Sequence, residues 1–258
     1  MARPESWTAA TSAVLAISSV ALVAVLAGCG AHTPAGSIVV FAAASLKQPF
    51  TAIAERFQAD NPGASVFFNF AGSSELVTQL TQGAAADVFA SADTANMDRA
   101  ARAGLLAGDP IDFASNTLVI VTAAGNPNKI SSFADLADGG GDVVVCAQQA
   151  PCGAATQRVE RSTGIRLNPV SEESSVTDVL NKVTTGQADA GLVYVTDARS
   201  AGDRVTSVEF AEAAEAVNTY PVAVLNGARE PALARKFVDL VTGEAGQKIL
   251  GQAGFARP

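Results

Sequence analysis

The chain has 258 residues, a formal net charge of −8 at pH 7 and one histidine. That length can bury a full core as one large domain or two modest ones. The acidic balance, with no stripe of clustered Lys and Arg, excludes a surface that tracks nucleic-acid phosphates.

Arg3 precedes an apolar stretch, Ala13 to Ala27, broken only by Ser18 and Ser19 and ending in Leu26-Ala27-Gly28-Cys29. A charged start, an apolar middle and a small-residue end describe a secretory signal. The last four residues resemble the bacterial lipobox, in which cleavage before the cysteine is followed by its lipidation. The expectation is a signal peptide over 1–28, a lipid on Cys29 and a tether over 29–37, with the globular part outside the cytoplasm, anchored to the outer face of the cell membrane. The alternative is a permanent transmembrane anchor, for which the stretch is short against the roughly 20 residues of a span.

From residue 38 strands alternate with helices. Ile38–Ala44 reads as a buried strand, and Leu46, Phe50, Ile53 and Phe57 then fall at helical spacing, with Asn61-Pro62-Gly63 as the stop. Val66–Phe70 leads through Ala71-Gly72-Ser73-Ser74 into a helix bearing Leu76, Val77 and Leu80. Asp87–Ala90 is a third strand, followed by a helix near 95–103. A second set starts at Thr117–Val121 and continues through Val143–Cys146, a helix opened by Pro151-Cys152-Gly153, another opened by Ser174-Ser175-Val176, the strand Gly191–Val195, an Ala-rich acidic stretch near 210–215, and Tyr220–Val224. The C-terminus is helical. Such runs of βα units imply mostly parallel sheets with helices on both faces.

Apart from Cys29 the cysteines are Cys146 and Cys152. With no histidine beside them, zinc is implausible, and in an exported chain a Cys146–Cys152 disulfide is expected, free buried thiols being the alternative. The single histidine, His32, lies in the tether, so neither a Ser–His nucleophile nor an imidazole metal site can be assembled in the fold. No phosphate-binding glycine loop is present. What recurs is a small or hydroxyl residue at a strand-to-helix junction: Ser45, Ser73, Ser74, Cys152 and Ser174–Val176. Each junction projects free N–H groups with a helix dipole behind them, and junctions at the carboxyl ends of one sheet can converge on a crevice suited to a small oxyanion. Each serine can equally be a cap, and Ser45 with Gln48 fits a capping box.

Five strings resemble the molybdate-binding proteins of bacterial ABC importers: Phe41-Ala42-Ala43-Ala44-Ser45-Leu46, Phe70-Ala71-Gly72-Ser73-Ser74, Gly83–Asp93, Gly191-Leu192-Val193-Tyr194 and Tyr220-Pro221-Val222-Ala223-Val224. The resemblance runs in order over about residues 38–255. It implies an α/β, two-lobed periplasmic-binding-protein fold of the second type, each lobe a mostly parallel sheet flanked by helices, with the ligand cleft between. Lobe 1 would comprise 38–116 and 221–258, and lobe 2 would comprise 117–220. It further implies that molybdate is held by Ser45, Ser73, Cys152, Val176 and Tyr194: the serines through hydroxyl and backbone N–H, Cys152 and Val176 through backbone N–H, and Tyr194 through its hydroxyl. Cys152 departs from the small residue the family pattern has there.

Molybdate at neutral pH is a fully deprotonated dianion that only accepts hydrogen bonds, so donors satisfy it and a carboxylate would repel it. Phosphate carries a proton and calls for an acceptor, whereas tungstate and sulfate pass the same test as molybdate. The expected function is therefore a monomeric, lipid-anchored receptor without cofactor that captures molybdate, and tungstate with it, for an ABC importer permease. The alternatives are a receptor for sulfate or another tetrahedral oxyanion, or an exported enzyme with a carboxylate-based site.

Overall fold

The computed structural model describes residues 36–138 and 141–258. The signal sequence, Cys29 and His32 lie outside them. Among the described residues no helix is long and apolar enough to cross a membrane.

The β-branched run after Gly36 forms β1 (Ser37–Ala43), which pairs in parallel with β2 (Ser65–Ala71) and with β3 (Val88–Ala90). Ile38, Val40 and Ala42 pack in one core cluster with Phe50 and Phe57, and Phe41 in another with Leu76 and Val77, so the strand is buried on both faces and its sequence is almost continuously apolar. A 3₁₀ turn, Ala44–Leu46, precedes α1 (Lys47–Asp60), whose Phe50, Ile53 and Phe57 are fully buried with Leu46. Phe50 and Phe57 meet the edge of Phe237 at ring separations of 5.9 and 5.5 Å. Phe237 sits on α7 (Pro231–Thr242), which with α8 (Glu244–Ala253) closes the core beside α1. Helix α2 (Ser73–Thr81) follows β2, and α3 (Thr94–Arg102), capped by Asp93, follows β3.

The first sheet has the order β2-β1-β3-β10-β4, and the second β7-β6-β8-β5-β9. Here β4 is Ile111–Asn116, β5 Leu118–Ala123, β6 Val143–Cys146, β7 Ser171–Glu173, β8 Ala190–Tyr194, β9 Val205–Val208 and β10 Asn218–Val224. The second sheet carries α4 (Pro151–Thr163), α5 (Val176–Thr184) and α6 (Val195–Ala201). The two sheets repeat one plan: three parallel strands, then one that runs against them, then an edge strand in the original direction. The parallel core is the expected one. Each sheet is mixed because β5 enters the second sheet, and β10 the first, against the direction of the βα units. The chain passes from β4 to β5 through Thr117 alone. Strand β10 lies wholly in the first sheet from Asn218 on, with a register shift between Tyr220 and Pro221, the irregularity that a proline without an N–H imposes on an inner strand.

The disulfide is present: Cys146 at the end of β6 is bonded to Cys152 in the first turn of α4, with Cα atoms 5.6 Å apart. It closes the short turn in which a side chain on Gly153 would lie 2.0 Å from the Ala147 carbonyl oxygen, so only glycine fits there.

Candidate oxyanion site

The carboxyl ends of the parallel strands of both sheets face one another. Ser45 follows β1, Ser73 follows β2, Cys152 follows β6, Val176 follows β7, and Tyr194 is the last residue of β8. The structure brings all five around one cavity, which they line with Ala44, Gly72, Ala92, Pro151, Ser174 and Ser175 among others. Each of the five is at most 8 % exposed. The space open to the centre of a water-sized sphere is about 10 Å³, room for one small group. None of the lining residues carries a charged side chain.

Positive potential comes instead from helix starts. Ser73, Cys152 and Val176 stand in the first turns of α2, α4 and α5, where the leading N–H groups have no partner within the helix. Ser175 caps α5, its hydroxyl accepting from the Asp178 N–H at 3.3 Å. Ser74, one residue beyond Ser73, turns to a neighbouring solvent cleft with Glu75 and Asn96. Gly72 comes so close to the other half that a Cβ there would lie 2.2 Å from the Ser174 carbonyl oxygen.

The hydrogen-bond partners fix what two of the three hydroxyls can offer. Ser73 Oγ accepts from the Ala92 N–H at 3.0 Å, so its proton is free for the cavity. The Tyr194 hydroxyl accepts from Asn218 Nδ2 at 2.7 Å. The same Nδ2 is 2.9 Å from the Ala92 carbonyl and 3.3 Å from that of Pro151, and Asn218 Oδ1 accepts from Arg158. Carbonyls only accept and guanidinium only donates, so the amide has one possible orientation and the Tyr194 proton points elsewhere. Ser45 Oγ is 3.1 Å from the Tyr220 hydroxyl and caps no helix through its side chain, so the Ser45–Gln48 capping box does not form. When Tyr220 donates, Ser45 too presents its proton. Burial pushes both tyrosine hydroxyls well above their ordinary pKa, which keeps them protonated.

Two buried acids stand behind the site, both acting on the Tyr194 hydroxyl. Asp197, in the first turn of α6, accepts the Tyr194 backbone N–H at 3.2 Å, and burial raises its pKa to about 7 against the lowering effect of that bond. Burial likewise raises Asp93, at the start of α3, against the bonds it accepts from Asn96. Among the described residues no group of three or more His, Cys, Asp or Glu is placed to hold a metal ion.

Tyr220, Asn218, Ala92 and Gly72 belong to this site without having been singled out as site residues from sequence. Tyr220 and Asn218 precede no helix, and the junction pattern could not reach them. Their signal was indirect: both lie on β10, the strand by which the chain re-enters the first sheet.

Two α/β halves joined by crossing strands, with a donor-lined cavity where their strand ends meet, define a two-lobed substrate-binding protein. The chain belongs to the bacterial extracellular solute-binding proteins, matching that family over residues 38–256. It is 64% identical over 250 residues to the molybdate-binding protein ModA of Mycobacterium tuberculosis, covering 93% of this chain and 96% of that one. It shares its fold with the periplasmic molybdate-binding protein of Azotobacter vinelandii (TM-score 0.72, 20% identity, 86% of this chain and 99% of that one). It also shares it with the sulfate-binding protein SubI of M. tuberculosis (TM-score 0.75, 20% identity, 86% and 87%).

Proposed function

We propose that this chain is the molybdate receptor of an ABC importer, binding tungstate as well, and that it acts by capture and release rather than by catalysis. The observation that carries the reading is the direction of the hydroxyls. Ser73 accepts from the Ala92 N–H and Tyr194 from Asn218, so each keeps its proton to donate, Tyr194 having the Tyr220 hydroxyl as its alternative acceptor, and an uncharged ring of donors suits an anion that has no proton of its own. The ligands are Ser45, Ser73, Cys152, Val176 and Tyr194. Cys152 and Val176 act through the main chain, so the bridge to Cys146 leaves the Cys152 N–H free to donate. The kinship with ModA supports molybdate as the ion.

The lobes follow the expected division, 38–116 with 221–258 and 117–220, except that the strand pairing of β10 supports moving the second boundary back so that Asn218–Tyr220 belong with lobe 1. The lobes close on the anion because it bonds to both, a shift between open and closed populations. The chain works as a monomer outside the cytoplasm, held to the membrane by a lipid on Cys29, and hands its cargo to the permease. The lipobox-like Leu26-Ala27-Gly28-Cys29 supports the anchor.

Thermal unfolding of the chain from Cys29 on, with each sodium salt, tests the reading. At a free concentration 100 times Kd a ligand that binds only the folded state adds about 2.7 kcal/mol, a rise in Tm of about 5 to 10 °C for a protein of this size. Molybdate and tungstate are expected to give that rise and phosphate none. A rise with sulfate and none with molybdate refutes the choice of ion, and no rise with any oxyanion refutes the site.

A further inference from the structure

A site that meets a dianion with neutral donors has a full positive charge two hydrogen bonds away. Arg158 lies on α4, beyond Cys152, and its Nη2 donates to Asn218 Oδ1 and to the carbonyls of Ala216 and Val217 at 3.1 and 3.4 Å. Among the described residues the ion pairs are Arg56–Asp60 and Lys182–Glu173, so no carboxylate touches this guanidinium, although the buried Asp93 carboxyl at the start of α3 lies within its field. Asn218, 2 % exposed, passes the polarity on: its oxygen accepts from the guanidinium, its nitrogen donates to the Tyr194 hydroxyl, and that hydroxyl keeps its own proton to share between the neighbouring Tyr220 hydroxyl and an anion in the cavity. Every bond in the chain runs the same way, and aligned donors strengthen one another.

Resting on the reading of the cavity as the oxyanion site, we propose that Arg158 is its remote counter-charge, coupled to the bound dianion through Asn218 and Tyr194, and that both are positioning residues for the Tyr194 proton. The arrangement gives the anion part of a positive charge without a salt bridge to break on release. Burial, Tyr220 and the Asp93 and Asp197 carboxyls push the Tyr194 hydroxyl pKa up and Arg158 pulls the other way, so the field of the guanidinium reaches that oxygen alongside theirs.

The rival explanation is that Arg158 merely ties the 211–216 turn to α4, and a double-mutant cycle separates the two. Molybdate binding is measured by titration calorimetry on wild type, Arg158→Gln, Tyr194→Phe and the double variant, with Arg158→Lys as the conservative rescue. Removing a charge-assisted bond is expected to weaken Arg158→Gln about tenfold and Arg158→Lys about threefold or less. In the Tyr194→Phe background, where nothing is left to polarise, Arg158→Gln is expected to lose no more than about twofold. Equal losses in both backgrounds, or no loss in either, overturn the inference while leaving the oxyanion site intact. A wild type that binds no oxyanion removes the site itself and the inference with it. Asn218→Asp provides a check that does not depend on Arg158 variants folding. An acid there takes the Tyr194 proton for itself, and about tenfold or greater weakening is expected, whereas affinity within twofold of wild type overturns the inference.

Discussion

Closure should be separable from folding at Gly72. In Gly72→Ala the new Cβ would lie 2.2 Å from the Ser174 carbonyl oxygen, where ordinary contact begins at 3.4 Å, so the two halves must part by about 1 Å at that point. The local backbone raises no objection, since φ −61° and ψ 139° suit any residue. Alanine makes a poorer start for α2 than glycine does, yet it also restricts the unfolded chain. These effects oppose each other, leaving ligand-free stability within about 1 kcal/mol of wild type. Binding has no such balance. Parting the halves stretches the bonds from Asn218 to Tyr194 and Pro151, which lie across the cleft from it. Overpacking and weakened bonds together cost about 2 to 3 kcal/mol, or about 30- to 150-fold in Kd. Titration calorimetry with molybdate and urea unfolding of the ligand-free protein give the two numbers. A Kd within threefold of wild type, or a loss of stability as large as the loss of affinity, would refute the reasoning.

Two further expectations concern groups around the site. Asp197 holds its proton more tightly folded than unfolded, so between pH about 4 and 7 the folded state carries more protons and its stability falls as the pH rises. The full effect, present above pH 7 and absent below pH 4, is about 4 kcal/mol at most. Asp197→Asn, which keeps an acceptor for the Tyr194 N–H, should flatten the fall seen by urea unfolding at pH 5, 6, 7 and 8; an unchanged slope would show that Asp197 is not its source. Replacing both Cys146 and Cys152 by serine opens a loop of six residues' separation and should cost about 2 kcal/mol on chain-entropy grounds. A urea midpoint equal to that of the bridged protein would show that the bridge constrains nothing.

Much of this architecture was legible because it is local. The switch from β-branched run to helical spacing at Phe41–Phe57 is a period change within one short segment, and it located β1 and α1 to within a residue or two. The same junction pattern pointed to Ser45, Ser73, Cys152 and Val176, which line one cavity, but also to Ser74, which faces another cleft, while Tyr194 came only from the family resemblance. The capping reading of Ser45 failed because a 3₁₀ turn intervenes and the hydroxyl has a better partner in Tyr220, 175 residues away, which no local rule can supply. Strand β4 escaped notice because Asp112, Ser115 and Asn116 dilute its apolar pattern, yet Asn116 matters through a long-range bond to Thr196. The antiparallel pairings were invisible for the same reason: direction is decided by which sheet a strand joins. Asn218, on which the site's polarity turns, looks in sequence like any turn-forming asparagine.

The borrowed strand β10 also sets an order of assembly. The second sheet is built from one uninterrupted stretch, Leu118 to Val208, whereas the first cannot place a strand between β3 and β4 until Asn218–Val224 exists. The N-terminal sheet therefore completes its core last, although most of its residues are synthesised first, because its closing contacts span more than a hundred residues. That reversal leaves the leading half without its central antiparallel strand until the trailing end is available.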